Sequence, residues 1–334
     1  MAKKQVIEDL IHDFYPTANP QNIELANEYI DNSTQLSKKT IEQYISALRV
    51  YLAYINKFCN NRHVTEVKPL DFMKYQNWLL KQGLYDSAIK MKRSAVSNFN
   101  NYIILFHGDE FPTFRNCITK AIKVPETGRV TEKEPVSDED YERLCEELIK
   151  REDWQKLAYL KFTYISACRK NESRQLLKEV VTYKPVEKTV KVKDENGVEV
   201  TFPVKKYKTN PIKCKGKARD PMKRLSFEQD VMDALLKWVE VRGEDDCPYM
   251  FVTKRNNKWV QVAEGTFNNW ADYFGIILGR HVHPHLLRSS RATSLKKAGK
   301  SLESIRQLLG HKSSETTKIY IVTDEDDEED EIFI

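Results

Sequence analysis

The chain has 334 residues, 40% of them hydrophobic and 31% charged, with a formal net charge of +5. This length suggests two domains, since single cores rarely grow past about 250–300 residues, and the apolar content excludes a chain that is disordered throughout. The charge is uneven: the tail DEDDEEDE at 324–331 holds eight of the 49 acidic groups, so residues 1–323 carry 54 basic against 41 acidic groups and a net charge of +13. A basic body fits a polyanionic partner, and equally a solvated lysine-rich surface.

In chain order, MAKKQVIEDLIHDFYP reaches acidic residues and proline too early for a signal peptide. Residues 1–20 are expected to be an N-terminal extension to a helical domain at 21–123. Within that domain, KKTIEQYISALRVYLAYINKFC (38–59) places Ile41, Tyr44, Ile45, Leu48, Leu52 and Ile55 on one helical stripe. KPLDFMKYQNWLLKQG (68–83) predicts a second helix closed by Gly83. SAIKMKRSAVSNFNNYIILFHG (87–108) predicts a third, with Ile89, Val96, Phe99 and Ile103 facing a core and Lys90, Lys92 and Arg93 forming a basic cluster.

Residues 124–136 are expected to be a linker, from their prolines, glycine and mixed charge. Ser137 with Asp140 three residues on marks a helix start, and a further helix is expected over 154–167. Alternating β-branched and charged residues around Asn196-Gly197 predict a hairpin, within a stretch, 182–224, that holds 13 Lys or Arg against five Asp or Glu. Helices are expected again at 228–242, 264–278, 286–298 and 301–309. The fold class is thus mostly α with a small antiparallel β-sheet. The six cysteines, Cys59, Cys117, Cys145, Cys168, Cys214 and Cys247, form no CxxC pair and no metal-ligand spacing with histidine. That speaks against a zinc site or a disulfide framework and for a reducing compartment. No apolar run approaches the roughly 18 residues needed to span a membrane, so a cytoplasmic protein is expected.

Several polar residues stand where a core would not want them. Arg169 follows the apolar helix of YISACRKNE, and a guanidinium there needs an anionic partner or a cleft. Lys215 and Lys217 lie in IKCKGKARD. His285 and Arg288, in HPHLLRSSRATSL, share a helix face at i, i+3 spacing. His311 and Tyr320 flank small polar residues in LLGHKSSETTKIY. Each has a dull reading: a capping histidine, a half-buried tyrosine, a lysine-rich turn.

Together, the blocks ISACRKNESRQLL, CKGK, HPHLLRSSRAT and LLGHKSSETTKIY resemble, in order, those of the tyrosine recombinases, the phage-integrase family of site-specific DNA recombinases. TIEQYISALRVYLAYI resembles the family's helical core-binding domain, and the resemblance runs from about residue 20 to 323. It implies a core-binding domain at 21–123, a mixed α+β catalytic domain at 137–323, and a C-shaped clamp on DNA. It also implies catalytic roles for Arg169, His285, Arg288, His311 and the nucleophile Tyr320, with Glu172 three residues after the first arginine. The catalytic lysine is expected at Lys215, with Lys217 and Lys208 as alternatives, because the segment before the lysine-rich turn is longer than the family's. Ser290 departs from the histidine-threonine frequent in relatives.

The resemblance further implies DNA contacts at Lys90, Lys92, Arg93, Lys208, Lys213 and Lys217. Metal and ATP are not required, and no cofactor is expected. The partner is duplex DNA with a short inverted-repeat core site, bound as a tetramer by a protein that is monomeric when free, with accessory factors allowed. The acidic tail, 324–334, could plug a neighbouring protomer through Ile332-Phe333-Ile334 or compete for the DNA cleft. Two rivals remain: an enzyme of the same chemistry that relaxes DNA or seals hairpin ends, and a catalytically silent DNA-binding relative.

Overall fold

Ala2–Phe14 (α1) and Pro20–Asp31 (α2) open the computed structural model, which describes residues 2–123, 134–193, 199–214, 222–311, 313–318 and 321. The chain divides into two units, Met1–Val130 and Thr131–Ile334. In the first, Lys38–Phe58 (α3), Pro69–Lys81 (α4) and Asp86–Phe106 (α5) follow. Ser37 starts α3, its Oγ accepting from the Thr40 amide at 3.2 Å. The predicted one-sided stripe holds only for the first half of α3. From Tyr51 to Ile55 every side chain is buried, because α1, α2 and α5 all pack on this helix. Gly83 takes φ 73° beyond the end of α4, the left-handed geometry that glycine adopts without steric cost. The expected N-terminal extension is corrected: α1 lies on α3, and Leu10 is buried in the same core as Leu48, Phe72 and Phe99.

The second unit runs Asp138–Lys150 (α6), Trp154–Ser166 (α7) and Lys170–Ser173 (α8), then the strands Val186–Lys193 (β1), Glu199–Lys208 (β2), Ile212–Lys213 (β3), Met222–Lys223 (β4) and Ser226–Phe227 (β5). Gln229–Arg242 (α9), Val252–Arg255 (β6), Lys258–Gln261 (β7), Thr266–Leu278 (α10), Pro284–Lys297 (α11), Leu302–Leu309 (α12) and Ser314–Lys318 (α13) complete it. The single expected sheet is, among the described residues, three antiparallel ones: β1-β2-β5, β3-β4 and β6-β7. The predicted hairpin is present in β1 and β2, with Val190 opposite Phe202. Its Asn196-Gly197 turn, the linker residues 124–133 and the acidic tail lie outside the described residues.

Helix α7 is the axis of this unit, packed by α6, α9 and α11. Tyr159 stacks on Phe267 at 4.6 Å between centroids and meets Phe251 and Trp270 edge-on. Ser137 caps α6 as expected, accepting from the Asp140 amide at 3.1 Å. Asp138 ties that start to α7 and α11 by accepting from Tyr164 Oη and Ser294 Oγ, each at 3.0 Å. A small separate cluster of Ala167, Ala292, Ile305 and Leu309 joins the end of α7 to α11 and α12, with Ile321 packed against it. Among the described residues, no helix is long and apolar enough to cross a membrane.

Candidate active site

Three chain breaks create the site. Helix α7 stops at Ala167, which takes the left-handed φ of 46°, a conformation that costs a non-glycine residue on the order of 1 kcal/mol. Helix α12 stops at Gly310 (φ 63°), which turns the chain so that His311 follows immediately. Helix α11 begins between them, with Pro284 in its first turn and His283 Nδ1 accepting from the Leu286 amide at 3.1 Å.

Arg288 joins the breaks. Its side chain is 0% exposed. Nη1 donates to the carbonyl of Ala167, and Nη2 donates to the carbonyl of Leu309 at 2.5 Å and to His311 Nε2 at 3.0 Å. Both carbonyls lie at helix ends, where intrahelical donors run out. Because Arg288 donates to Nε2, His311 is an acceptor there and its Nδ1 proton faces Thr317 Oγ1 at 3.1 Å. His311 is 6% exposed. Burial, then the charges of Arg288, Arg169 and Lys223, push its pKa down to about 4, so the ring is neutral at physiological pH.

Arg169 sits at the start of α8. Its amide donates to Glu172 Oε2 at 2.9 Å and its Nη1 donates to Glu172 Oε1 at 3.1 Å. Glu172 is 2% exposed, and Lys223 Nζ lies 3.0 Å from its Oε2. Burial acts to raise the carboxyl pKa, but Lys223 and then Arg169 outweigh it and hold the group below its ordinary value. His285 is exposed beside this cluster, on the α11 face of Arg288. Desolvation of its ring lowers its pKa, followed by the charges of Arg288, His283, Arg169 and Lys170.

Arg169, His285, Arg288 and His311 therefore come together as expected. Tyr320, Lys215 and Lys217 lie outside the described residues. Helix α13 and the buried Thr317 lead towards residue 320. Cys214 and Met222 bracket the two lysines, and β3 is held to the α8 segment by Gln175, whose Oε1 accepts from the Lys213 amide at 2.9 Å. Lys213 and Lys208 are exposed on β3 and β2. Ser290 is buried: it donates to the Leu286 carbonyl at 2.7 Å and accepts from the Val136 amide at 2.8 Å, pinning the chain before α6 onto α11.

The basic cluster on α5 is corrected. Lys90 is exposed, but Lys92 is 7% exposed and its ammonium pKa is lowered by burial. Arg93 donates inward, to Gln76 Oε1 at 3.0 Å and the Thr119 carbonyl at 3.2 Å. Lys223 is the site residue that sequence reasoning missed. Nothing in PMKRLSF singles it out; its distinction is a contact with Glu172, far away in the chain.

The phage integrase family pattern matches residues 135–327, and the phage integrase N-terminal SAM-like domain matches residues 24–105. The chain is 27% identical to the SPbeta prophage-derived recombinase-like protein YomM of Bacillus subtilis, over 98% of this chain and 95% of that one. It is 22% identical to tyrosine recombinase XerC of Bacillus licheniformis, over 91% and 92% of the two chains. Its fold is similar to the Tn1549 transposon integrase in complex with a circular intermediate DNA (TM-score 0.66, 13% identity, 93% of this chain and 98% of that one). It is also similar to the XerH site-specific recombinase bound to palindromic difH substrate (TM-score 0.64, 19% identity, 88% and 79%). With the family match covering more than half of its length, on the unit that carries the arginine and histidine cluster, the chain belongs to the phage integrase family of tyrosine recombinases.

Proposed function

We propose that the protein is a site-specific DNA recombinase that cuts and rejoins strands through a 3′-phosphotyrosyl intermediate, in the integration or excision of a mobile element. The observation that carries this reading is the Arg288–His311 contact, set against the turn that holds Arg169. Two guanidiniums beside a neutral imidazole are groups suited to hold a phosphodiester.

In this reading Tyr320 Oη attacks the scissile phosphorus. The P–O bond to tyrosine forms as the P–O5′ bond breaks; His285 takes the tyrosine proton, and the 5′-oxygen receives one from a lysine. Lys215 or Lys217 suits that role better than Lys208, because the connection that bears them starts and ends at the α8 segment. The energy of the phosphodiester is kept in the tyrosyl ester, so a 5′-hydroxyl from another strand reverses the step without ATP. Charge that gathers on the non-bridging oxygens is met by Arg169 and Arg288 in place of a metal ion. With both ring nitrogens engaged within the protein, His311 is proposed to act by bracing Arg288.

Phosphate contacts from exposed basic residues would make affinity for the duplex fall steeply with salt. Assembly of four protomers on an inverted repeat, in the cytoplasm, completes the reading. The test is to express the protein in cells that carry its native DNA, denature in detergent, and sequence DNA left attached to protein, with Tyr320→Phe as control. Adducts at one short inverted repeat that vanish in the control are expected. Adducts scattered over the genome would favour a relaxing enzyme, and none at all a silent relative.

A further inference from the structure

We infer that Lys223 is a positioning residue for strand cleavage: it shares the Glu172 carboxylate with Arg169 and so leaves Arg169 its positive charge for the scissile phosphate. The inference rests on the recombinase reading above. A carboxylate buried as deeply as Glu172 interacts strongly with whatever cation it meets, since little water screens it. Alone with Arg169 it would form a neutral pair, and a neutral pair offers little to a phosphodiester. Two cations on one carboxylate leave a surplus positive charge at the α8 turn. The division is visible in the bonds: Glu172 Oε1 takes Arg169 Nη1 at 3.1 Å, while Oε2 takes the Arg169 amide at 2.9 Å and Lys223 Nζ at 3.0 Å.

The backbone fixes Lys223 for this task. It pairs with Ile212 across β3-β4, and β3 is fastened to Gln175, just past α8, by the Lys213 amide and by a bond from Gln175 Nε2 to the Lys213 carbonyl at 3.0 Å. The ammonium also lies 3.6 Å from the point where a Cβ on Gly310 would stand, beside the turn that delivers His311. One lysine therefore pairs with Glu172 of the Arg169 block and lies beside the turn that leads into the His311 block. Among the described residues, Glu172 is faced by Arg169 at the start of α8, Lys223 from β4, Cys214 beyond β3 and Cys168 before α8.

The test uses the full chain and a duplex bearing the cleavage site mapped by adduct sequencing. The rate of covalent adduct formation is followed from pH 5 to 9 for the wild type, Lys223→Met, Lys223→Arg, Glu172→Gln and the Met/Gln double variant. Lys223→Met is expected to slow adduct formation about 10- to 100-fold, with duplex affinity within a few-fold of wild type. Its acid limb should move to higher pH, because burial then dominates Glu172 and protonates it earlier. Lys223→Arg should restore most of the rate. The double variant should be no slower than Glu172→Gln alone if Lys223 acts through that carboxylate. A wild-type rate and pH profile in Lys223→Met overturns the role. So does a rate loss that tracks loss of folded protein with the pH profile unmoved. Absence of adduct from the wild type itself overturns the recombinase reading, and the role with it.

Discussion

Two arginines of the candidate site, Arg288 and Arg169, satisfy the same cation in opposite ways. Arg288 is wholly enclosed and bound by neutral acceptors: two helix-end carbonyls and an imidazole. Arg169 is partly exposed and bound by a carboxylate, which in turn needs Lys223. Neutral acceptors leave the charge of a guanidinium intact but bind its geometry to three chain segments. A carboxylate cancels part of the charge and ties the short helix α8 to β4 through Lys223. The α11 site should therefore be rigid and costly to disturb, and the α8 site adjustable.

The largest expected effect breaks the rigid site. Arg288→Ala should slow adduct formation at least about 100-fold and also lower unfolding stability by about 2–4 kcal/mol, since the acceptors it leaves are buried. Arg169→Ala should slow the reaction by a similar order but cost only about 1–2 kcal/mol, because Lys223 still neutralises Glu172. Urea midpoints measured beside adduct rates check both. If Arg169→Ala destabilises the protein more than Arg288→Ala, the contrast between the sites is reversed.

The two sites also respond to acid in different windows. His311 has a folded pKa near 4 against an ordinary 6.5. Between those values the unfolded chain binds a proton that the folded one refuses, so stability is full above about pH 6.5 and falls as pH drops towards 4. The loss attributable to this one group is on the order of 1–3 kcal/mol. Glu172 has a folded pKa below the ordinary 4.5, so its contribution is present above pH 4.5 and lost only below it. Urea titrations across pH should show His311→Gln flattening the upper window and Glu172→Gln the lower one. A single slope that neither variant changes would mean that other groups govern the acid response.

Much of the α11 site was legible because its information is local. His285 and Arg288 are one helical turn apart, and the Leu-Leu-Gly-His run contains its own helix stop. The α8 site was half legible: Arg169 and Glu172 are neighbours in sequence, but the third member arrives from β4, and no local pattern marks a contact made across the fold. The β6-β7 hairpin was missed although Asn256 and Asn257 both take positive φ, the geometry that a tight hairpin turn demands. Lys92 was misread for a reason the sequence did contain. Ile89, Lys92, Val96, Phe99 and Ile103 fall on one stripe at spacings of three and four, so Lys92 belongs to the core side of α5 rather than to a basic face.

The smallest expected effect sharpens that last point, by asking which cations of α5 belong to DNA and which to the fold. Lys90→Ala removes an exposed ammonium. It should leave stability unchanged and weaken duplex binding a few-fold, with the salt dependence of affinity reduced by about one phosphate contact. Lys92→Met replaces an ammonium that burial already disfavours with an apolar chain of similar length. It should leave affinity and its salt slope alone, and hold or raise the urea midpoint. Arg93→Ala loses the bonds to Gln76 and Thr119 and should lower stability by about 1–2 kcal/mol with the salt slope unmoved. Binding isotherms at several salt concentrations separate the three. A salt slope that falls in Lys92→Met as much as in Lys90→Ala would mean that α5 turns this lysine outward when it meets DNA, and the core-side assignment of Lys92 would then apply to the free protein alone.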